Sequence, residues 1–100
     1  MLKHIVFIKL SAAYNESEKH GIINEIILQL NDLPNHIDEI LDLETGLNVS
    51  SRPSAFDLSL SVTFTSEKEL NIYQVHPKHK EVLKYLSSLE LSTAVVDYIK

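Results

Sequence analysis

A chain of 100 residues, 44% hydrophobic and 23% charged, has the length of one ordinary domain and enough apolar side chains for a core, so residues 1–100 are expected to form a single domain. Its net charge of −5 and scattered basic residues argue against nucleic acid as a partner, because phosphate binding draws on clustered lysine and arginine. Cysteine is absent, which excludes disulfides, thiolate nucleophiles and zinc held by sulfur. No apolar run approaches the ~20 residues of a membrane span, and the first residues lack a signal-peptide pattern. A cytoplasmic location and no membrane contact are therefore expected.

Leu2 to Leu10 is rich in β-branched and aromatic residues and predicts a strand. Its faces read Leu2, His4, Val6, Ile8, Leu10 and Lys3, Ile5, Phe7, Lys9, so both are largely apolar in the middle and both need cover. Asn15, with Glu18 three residues on, predicts a capping box that opens a helix. Ile23, Ile26, Ile27, Leu30 and Leu33 supply its apolar stripe, and Pro34 ends it.

Between Asp38 and Val49 the odd positions Leu41, Leu43, Leu47 and Val49 are apolar and the even positions Asp42, Glu44 and Asn48 polar, which predicts a second strand. Ser50 to Ser54 reads as a turn. A third strand follows, with Phe56, Leu58, Leu60, Val62 and Phe64 on one face and Asp57, Ser59, Ser61 and Thr63 on the other. Ser66 and Glu69 form a Ser-x-x-Glu capping pattern for a second helix. Pro77 must interrupt that helix, so one piece is expected to end near Val75 and another to run from Pro77 to about Leu86. Leu91 to Ile99 predicts the fourth strand.

The order strand, helix, strand, strand, helix, strand is the ferredoxin-like α+β arrangement, with a four-stranded antiparallel sheet and strands one and three at its centre. Two helices cover one face only. The bare face carries apolar side chains, and at about 25 cal/mol per Å² their burial is worth many kcal/mol, so a second copy of the chain is expected against it. The result would be a homodimer, a dimeric α+β barrel. Asp57, Ser59, Ser61 and Thr63 would point between the two sheets and leave polar room there for a small apolar or carbonyl ligand.

Lys3-His4-Ile5-Val6, the run Phe56 to Phe64, and above all Tyr73-Gln74-Val75-His76-Pro77-Lys78-His79 resemble the stress-responsive A/B-barrel (Dabb) family, nearly end to end. The resemblance implies a dimeric α+β barrel. One enzymatic branch, the plant polyketide cyclase that makes olivetolic acid, closes a ring by an aldol step. By that likeness Tyr73 and His79 correspond to its catalytic pair and His4 to a pocket histidine. This chain departs from the cyclase in having Ile22, Ile23 and Ile26 where the first helix carries pocket aromatics, and Leu58 where strand three carries a histidine.

The chemistry suits these residue types: His79 as base toward a carbon beside a carbonyl, and the Tyr73 hydroxyl as donor to the developing oxyanion. Six residues apart on an unbroken helix the two would point about 120° apart, and the break at His76-Pro77 removes that objection. His4, Asp57, Ser59, Ser61 and His76 complete the candidate ligand-binding set, with His76 also expected to fix the bend through a side-chain hydrogen bond and Asp57 to accept backbone hydrogen bonds at the hairpin. His76 and His79 straddle the break, and His20 and His36 fall at exposed helix and turn positions, so no metal is expected; nor is any cofactor. The leading expectation is a homodimer enclosing a small-molecule pocket. The alternative is a cofactor-independent lyase or cyclase of polyketide-like carbonyl compounds. Cofactor-free oxygen chemistry or haem turnover ranks behind both, since no dedicated haem ligand is present.

Overall fold

A computed structural model describes all of residues 1–100. The chain runs β1 (Leu2–Leu10), α1 (Glu16–Asp32), a 3-10 turn (Leu33–Asn35), β2 (Asp42–Leu47), β3 (Leu58–Phe64), α2 (Glu67–Val75), α3 (Pro77–Ser87) and β4 (Leu91–Ile99). The four strands form one antiparallel sheet in the order β2-β3-β1-β4. This is the ferredoxin-like arrangement the element order predicts, with its second helix broken at Pro77 as expected.

The strand pattern decides which way the sheet faces. Leu2, His4, Ile8 and Leu10 of β1 and Leu58, Leu60, Val62 and Phe64 of β3 are buried. They meet Ile26 and Leu30 of α1, Leu70 and Tyr73 of α2 and Val82 of α3 in the core. The alternate row, Lys3, Ile5, Phe7 and Lys9 with Ser59, Ser61 and Thr63, lies on the uncovered face. The helices pack over β2, β3 and one another and leave β4 exposed on both faces from Ser92 to Ile99.

Local sequence accounts for the element ends. The Asn15 side chain accepts from the Glu18 N–H at 2.7 Å while Glu18 accepts from the Asn15 N–H at 2.9 Å, the full capping box. At the second box the expectation fails. The Ser66 hydroxyl donates to the Glu69 carboxylate, and no backbone N–H of the first turn donates to it.

The second strand begins at Asp42, not at Asp38. The 3-10 turn after α1 delivers Ile37 into the core, and its burial takes residues 36–41 out of the sheet's alternation. The third strand begins at Leu58, not Phe56. Asp57 joins β1 from the side, its N–H donating to the Ile8 carbonyl at 2.8 Å and its carboxylate accepting from the Leu10 N–H at 2.6 Å. No helix is long and apolar enough to cross a membrane.

Candidate functional site

The chain breaks between α2 and α3 at one residue. His76 is extended (φ −65°, ψ 136°), as the residue before a proline prefers. Its Nδ1 accepts from the Lys78 N–H at 3.0 Å and so caps α3, which is the local role expected for it. The turn brings Tyr73, at the end of α2, and His79, in the first turn of α3, ring against ring. Their centroids are 4.2 Å apart and the planes meet at 43°.

Beneath them lies His4 of β1, only 6% exposed, its ring edge-on to Tyr73 with centroids 5.9 Å apart. Its Nδ1 sits 2.5 Å from the Asp97 carboxylate on β4, the residue directly across the strand pair. A carboxylate only accepts, so His4 donates from Nδ1 and keeps Nε2 as its other polar atom. His79 Nδ1 lies 3.2 Å from the Gln74 carbonyl, which likewise only accepts. The His79 proton is thereby fixed on Nδ1 and its lone pair on Nε2.

These three rings form the polar end of a cavity of about 340 Å³ between the sheet and α3. Its walls are aliphatic, from Val6 and Ile8 of β1, Leu60 of β3, Leu30 of α1, Val82, Leu83 and Leu86 of α3, and Val95 of β4, with Gln74 and Thr93 at the margin. No lysine, arginine or carboxylate lines it. Burial pushes the Tyr73 phenol well above its ordinary value near 10, so it stays protonated. No hydrogen bond within the chain engages its hydroxyl, and that hydroxyl is not sealed away from the cavity. His79 is held below its ordinary value first by burial, with smaller like-charge effects from His4 and His76, while the bond to the Gln74 carbonyl opposes the shift. At neutral pH the site therefore pairs a neutral imidazole with a neutral phenol.

The candidate residues fall on two sides of the sheet, with the Tyr73, His79 and His4 cluster on the helix side. Ser59 and Ser61 point from the opposite face. Ser59 there borders a second, shallower groove of about 400 Å³ with Phe7, Gly46 and Phe56, and Asp57 is committed to the β1 backbone. His76 stands beside the cluster but lines neither cavity. His20 is exposed in α1, and His36 is exposed and meets Asp32 at 3.0 Å.

Sequence reasoning missed Asp97, 93 residues from its partner. Leu30 is the α1 residue that lines the cavity, and the sequence reading does not single it out for that place. The strand register offers the only signal for Asp97, since pairing β1 with β4 sets it across from His4.

The fold has counterparts. A protein from Bacteroides fragilis, described as a dimeric protein of unknown function with a ferredoxin-like fold, superposes with a TM-score of 0.90 at 30% identity over 99% of this chain and 95% of that one. The hydroxynitrile lyase of Passiflora edulis superposes with a TM-score of 0.81 at 21% identity over 99% and 92% of the two chains, a likeness of fold. In sequence, the chain is 29% identical over 102 residues to the Arabidopsis thaliana stress-response A/B barrel domain-containing protein DABB1. The match takes in 99% of this chain and 47% of that relative, so the chain spans about half the length of the curated relative it matches. The family model for the stress-responsive A/B barrel domain matches residues 2–100, and the chain belongs to that family.

Proposed function

We propose that this chain works as a homodimer, each copy of which takes a small, neutral, largely aliphatic molecule with a carbonyl or hydroxyl group into its helix-side cavity. The observation that carries the reading is the Tyr73 and His79 pair, 4.2 Å apart, standing at the polar end of an otherwise aliphatic cavity. An anionic head group would find no cation there to balance it. The volume takes roughly eleven groups of about 30 Å³ each. The dimeric state described for the Bacteroides fragilis relative and the apolar residues on the bare face, Phe7, Val96 and Tyr98 among them, support the second copy.

Binding is tested by ligand-observed NMR with 2-octanone and octanoate, and assembly by sedimentation velocity at micromolar concentration. The reading expects saturation transfer to 2-octanone and not to octanoate, weakened in Tyr73→Phe, and a sedimentation coefficient of a dimer. Equal transfer to octanoate, or no transfer to either, overturns the ligand class; a folded monomer overturns the dimer.

A second reading is favoured by the protonation states. In a cofactor-independent lyase or cyclase, His79 Nε2 takes the proton from a carbon beside the carbonyl, and Tyr73 donates to the oxygen on which charge gathers. The carbanion then attacks a second carbonyl, forming the carbon–carbon bond, and the proton held on His79 passes to the new alkoxide. The reverse sequence cleaves the same bond, and neither direction needs an outside oxidant or reductant. The lyase activity named for the Passiflora edulis fold neighbour belongs to this broad class of chemistry. Loss of turnover of a carbonyl substrate in both His79→Ala and Tyr73→Phe supports it; unchanged turnover in either removes that residue's role.

A further inference from the structure

We infer that the helix-side cavity is matched to a carbonyl compound that brings two N–H or O–H hydrogens of its own beside the carbonyl, an aliphatic primary carboxamide being the simplest. The inference rests on the ligand reading above and narrows its class. Two of the three polar groups at the cavity's end are acceptors. His79 donates from Nδ1 to the Gln74 carbonyl, and an imidazole with its one proton there can only accept at Nε2. His4 is in the same condition through a different partner. The Asp97 carboxylate takes its Nδ1 proton, and its Nε2 has no partner within the chain yet is not sealed from the cavity that the ring lines.

Tyr73 supplies the one donor, since burial keeps its hydroxyl protonated. Gln74 and Thr93 also carry polar groups, but both are exposed at the margin, where water serves them. A ligand that fills this end must therefore accept once and donate twice. A ketone accepts from Tyr73 and leaves both imidazole nitrogens facing carbon, and a buried polar atom stranded in this way costs more than a made bond returns. A primary carboxamide sets a carbonyl oxygen beside an NH2 group, which is the required complement. Sites built to bond an N–H or O–H reject analogues that lack it for this reason.

Asp97 fixes the pattern without touching the ligand, because it lies outside the cavity. With that anchor gone, the His4 proton is free to sit on Nε2, and an acceptor becomes a donor. Asp97 is in this sense a positioning residue for ligand choice.

Nonanamide and 2-decanone have the same length and shape, an NH2 group in one replacing a methyl group in the other. Each has about as many non-hydrogen atoms as the cavity of about 340 Å³ accommodates, so little water remains to stand in for the missing hydrogens; 2-octanone is short enough to leave some behind. NMR titration of the native protein is expected to give nonanamide a dissociation constant lower by about tenfold or more. Nitrogen-15 spectra of the imidazoles in the same titration are expected to move the Nε2 signals of both His4 and His79 toward hydrogen bonding with nonanamide, and away from it with 2-decanone as water is displaced. Asp97→Ala and His4→Phe are each expected to cut the preference severalfold. Equal or tighter binding of 2-decanone, or an Nε2 response at one histidine only, overturns the inference and leaves the neutral-ligand reading standing. A full preference retained in Asp97→Ala overturns the positioning role. If neither compound binds, the inference falls; if 2-octanone shows no saturation transfer as well, the ligand reading falls with it.

Discussion

Tyr73 and His79 stack at 4.2 Å between ring centroids although an unbroken helix would send them about 120° apart. The single extended residue at position 76 makes the difference. The Tyr73 ring serves the core as well as the cavity: it is 1% exposed and also meets Phe64 at 5.1 Å. Tyr73→Phe keeps the ring and deletes a hydroxyl that has no partner in the chain, so its cost to stability is expected to stay within about 1 kcal/mol. Tyr73→Ala is expected to cost ~3–5 kcal/mol. Urea unfolding of the two variants separates the packing role from the chemical one.

The His79 shift fixes the direction of a pH effect. Burial lowers its folded-state value below the ordinary 6.5, so below that pH the unfolded chain takes up the proton more readily than the folded one. Stability rises with pH wherever the unfolded state binds more protons. The His79 contribution is therefore full above about pH 6.5 and is lost as the pH falls from there toward the lowered folded value. Urea midpoints between pH 7.5 and 5 should decline more steeply in the native chain than in His79→Gln; identical slopes would remove His79 as the source.

Asp97 holds His4 from the neighbouring strand at 2.5 Å. Asp97→Asn leaves a neutral amide whose oxygen still accepts, and Asp97→Ala leaves the His4 Nδ1 with nothing. Nitrogen-15 NMR of the imidazole is expected to show His4 protonated on Nδ1 in the native chain and a mixture of tautomers in Asp97→Ala, at a stability cost of ~1–3 kcal/mol. An unchanged tautomer in that variant would show that Asp97 does not set it.

Gly46 faces Ser59 across the β2–β3 pair, and a Cβ added at Gly46 would stand 2.7 Å from the Ser59 hydroxyl oxygen. Gly46→Ala is expected to destabilise, because the clash outweighs the ~0.4–1 kcal/mol that alanine gains through the unfolded chain. Adding Ser59→Gly removes the obstructing atom, and a double-mutant cycle should show a coupling of ~0.5 kcal/mol or more. Additive effects would mean that the serine simply rotates away.

The two helix starts differ in a way thermal melts can read. Asn15→Ala removes the side-chain acceptor of the Glu18 N–H, the capping half of a working box, and is expected to cost about 1 kcal/mol. Ser66→Ala removes only a hydroxyl bonded to the exposed end of Glu69, and is expected to cost a few tenths of that.

Much of this architecture is written in local patterns. Alternation at Leu58 to Phe64, the spacing of Ile26 and Leu30, and the proline at position 77 each act within a few residues, so strands, helices and the break follow from them. The Tyr73 and His79 pair was reachable for the same reason, since the break that joins them lies between them in sequence. What depends on register was out of reach. Asp97 meets His4 only because β4 pairs with β1 residue by residue. The side of the sheet on which the cavity lies depends on how α3 stands off β4, leaving Val95 as a wall, and no periodicity in Leu91 to Ile99 reports it. The late starts of β2 and β3 have one cause: Ile37 and Asp57 are each held by a tertiary contact stronger than the alternation of their neighbours.

With one residue as its joint, the segment from Tyr73 to His79 behaves like a phase lock. Inserting or deleting a single amino acid there would swing the imidazole by about 100° around the α3 axis and carry it off the phenol, whatever the new residue was. The ten positions between β2 and β3 have no such gearing, since they only need to span from Leu47 to Leu58. Length variation among relatives of this chain should therefore collect at residues 48–57 and be absent from the seven that set the two rings in step.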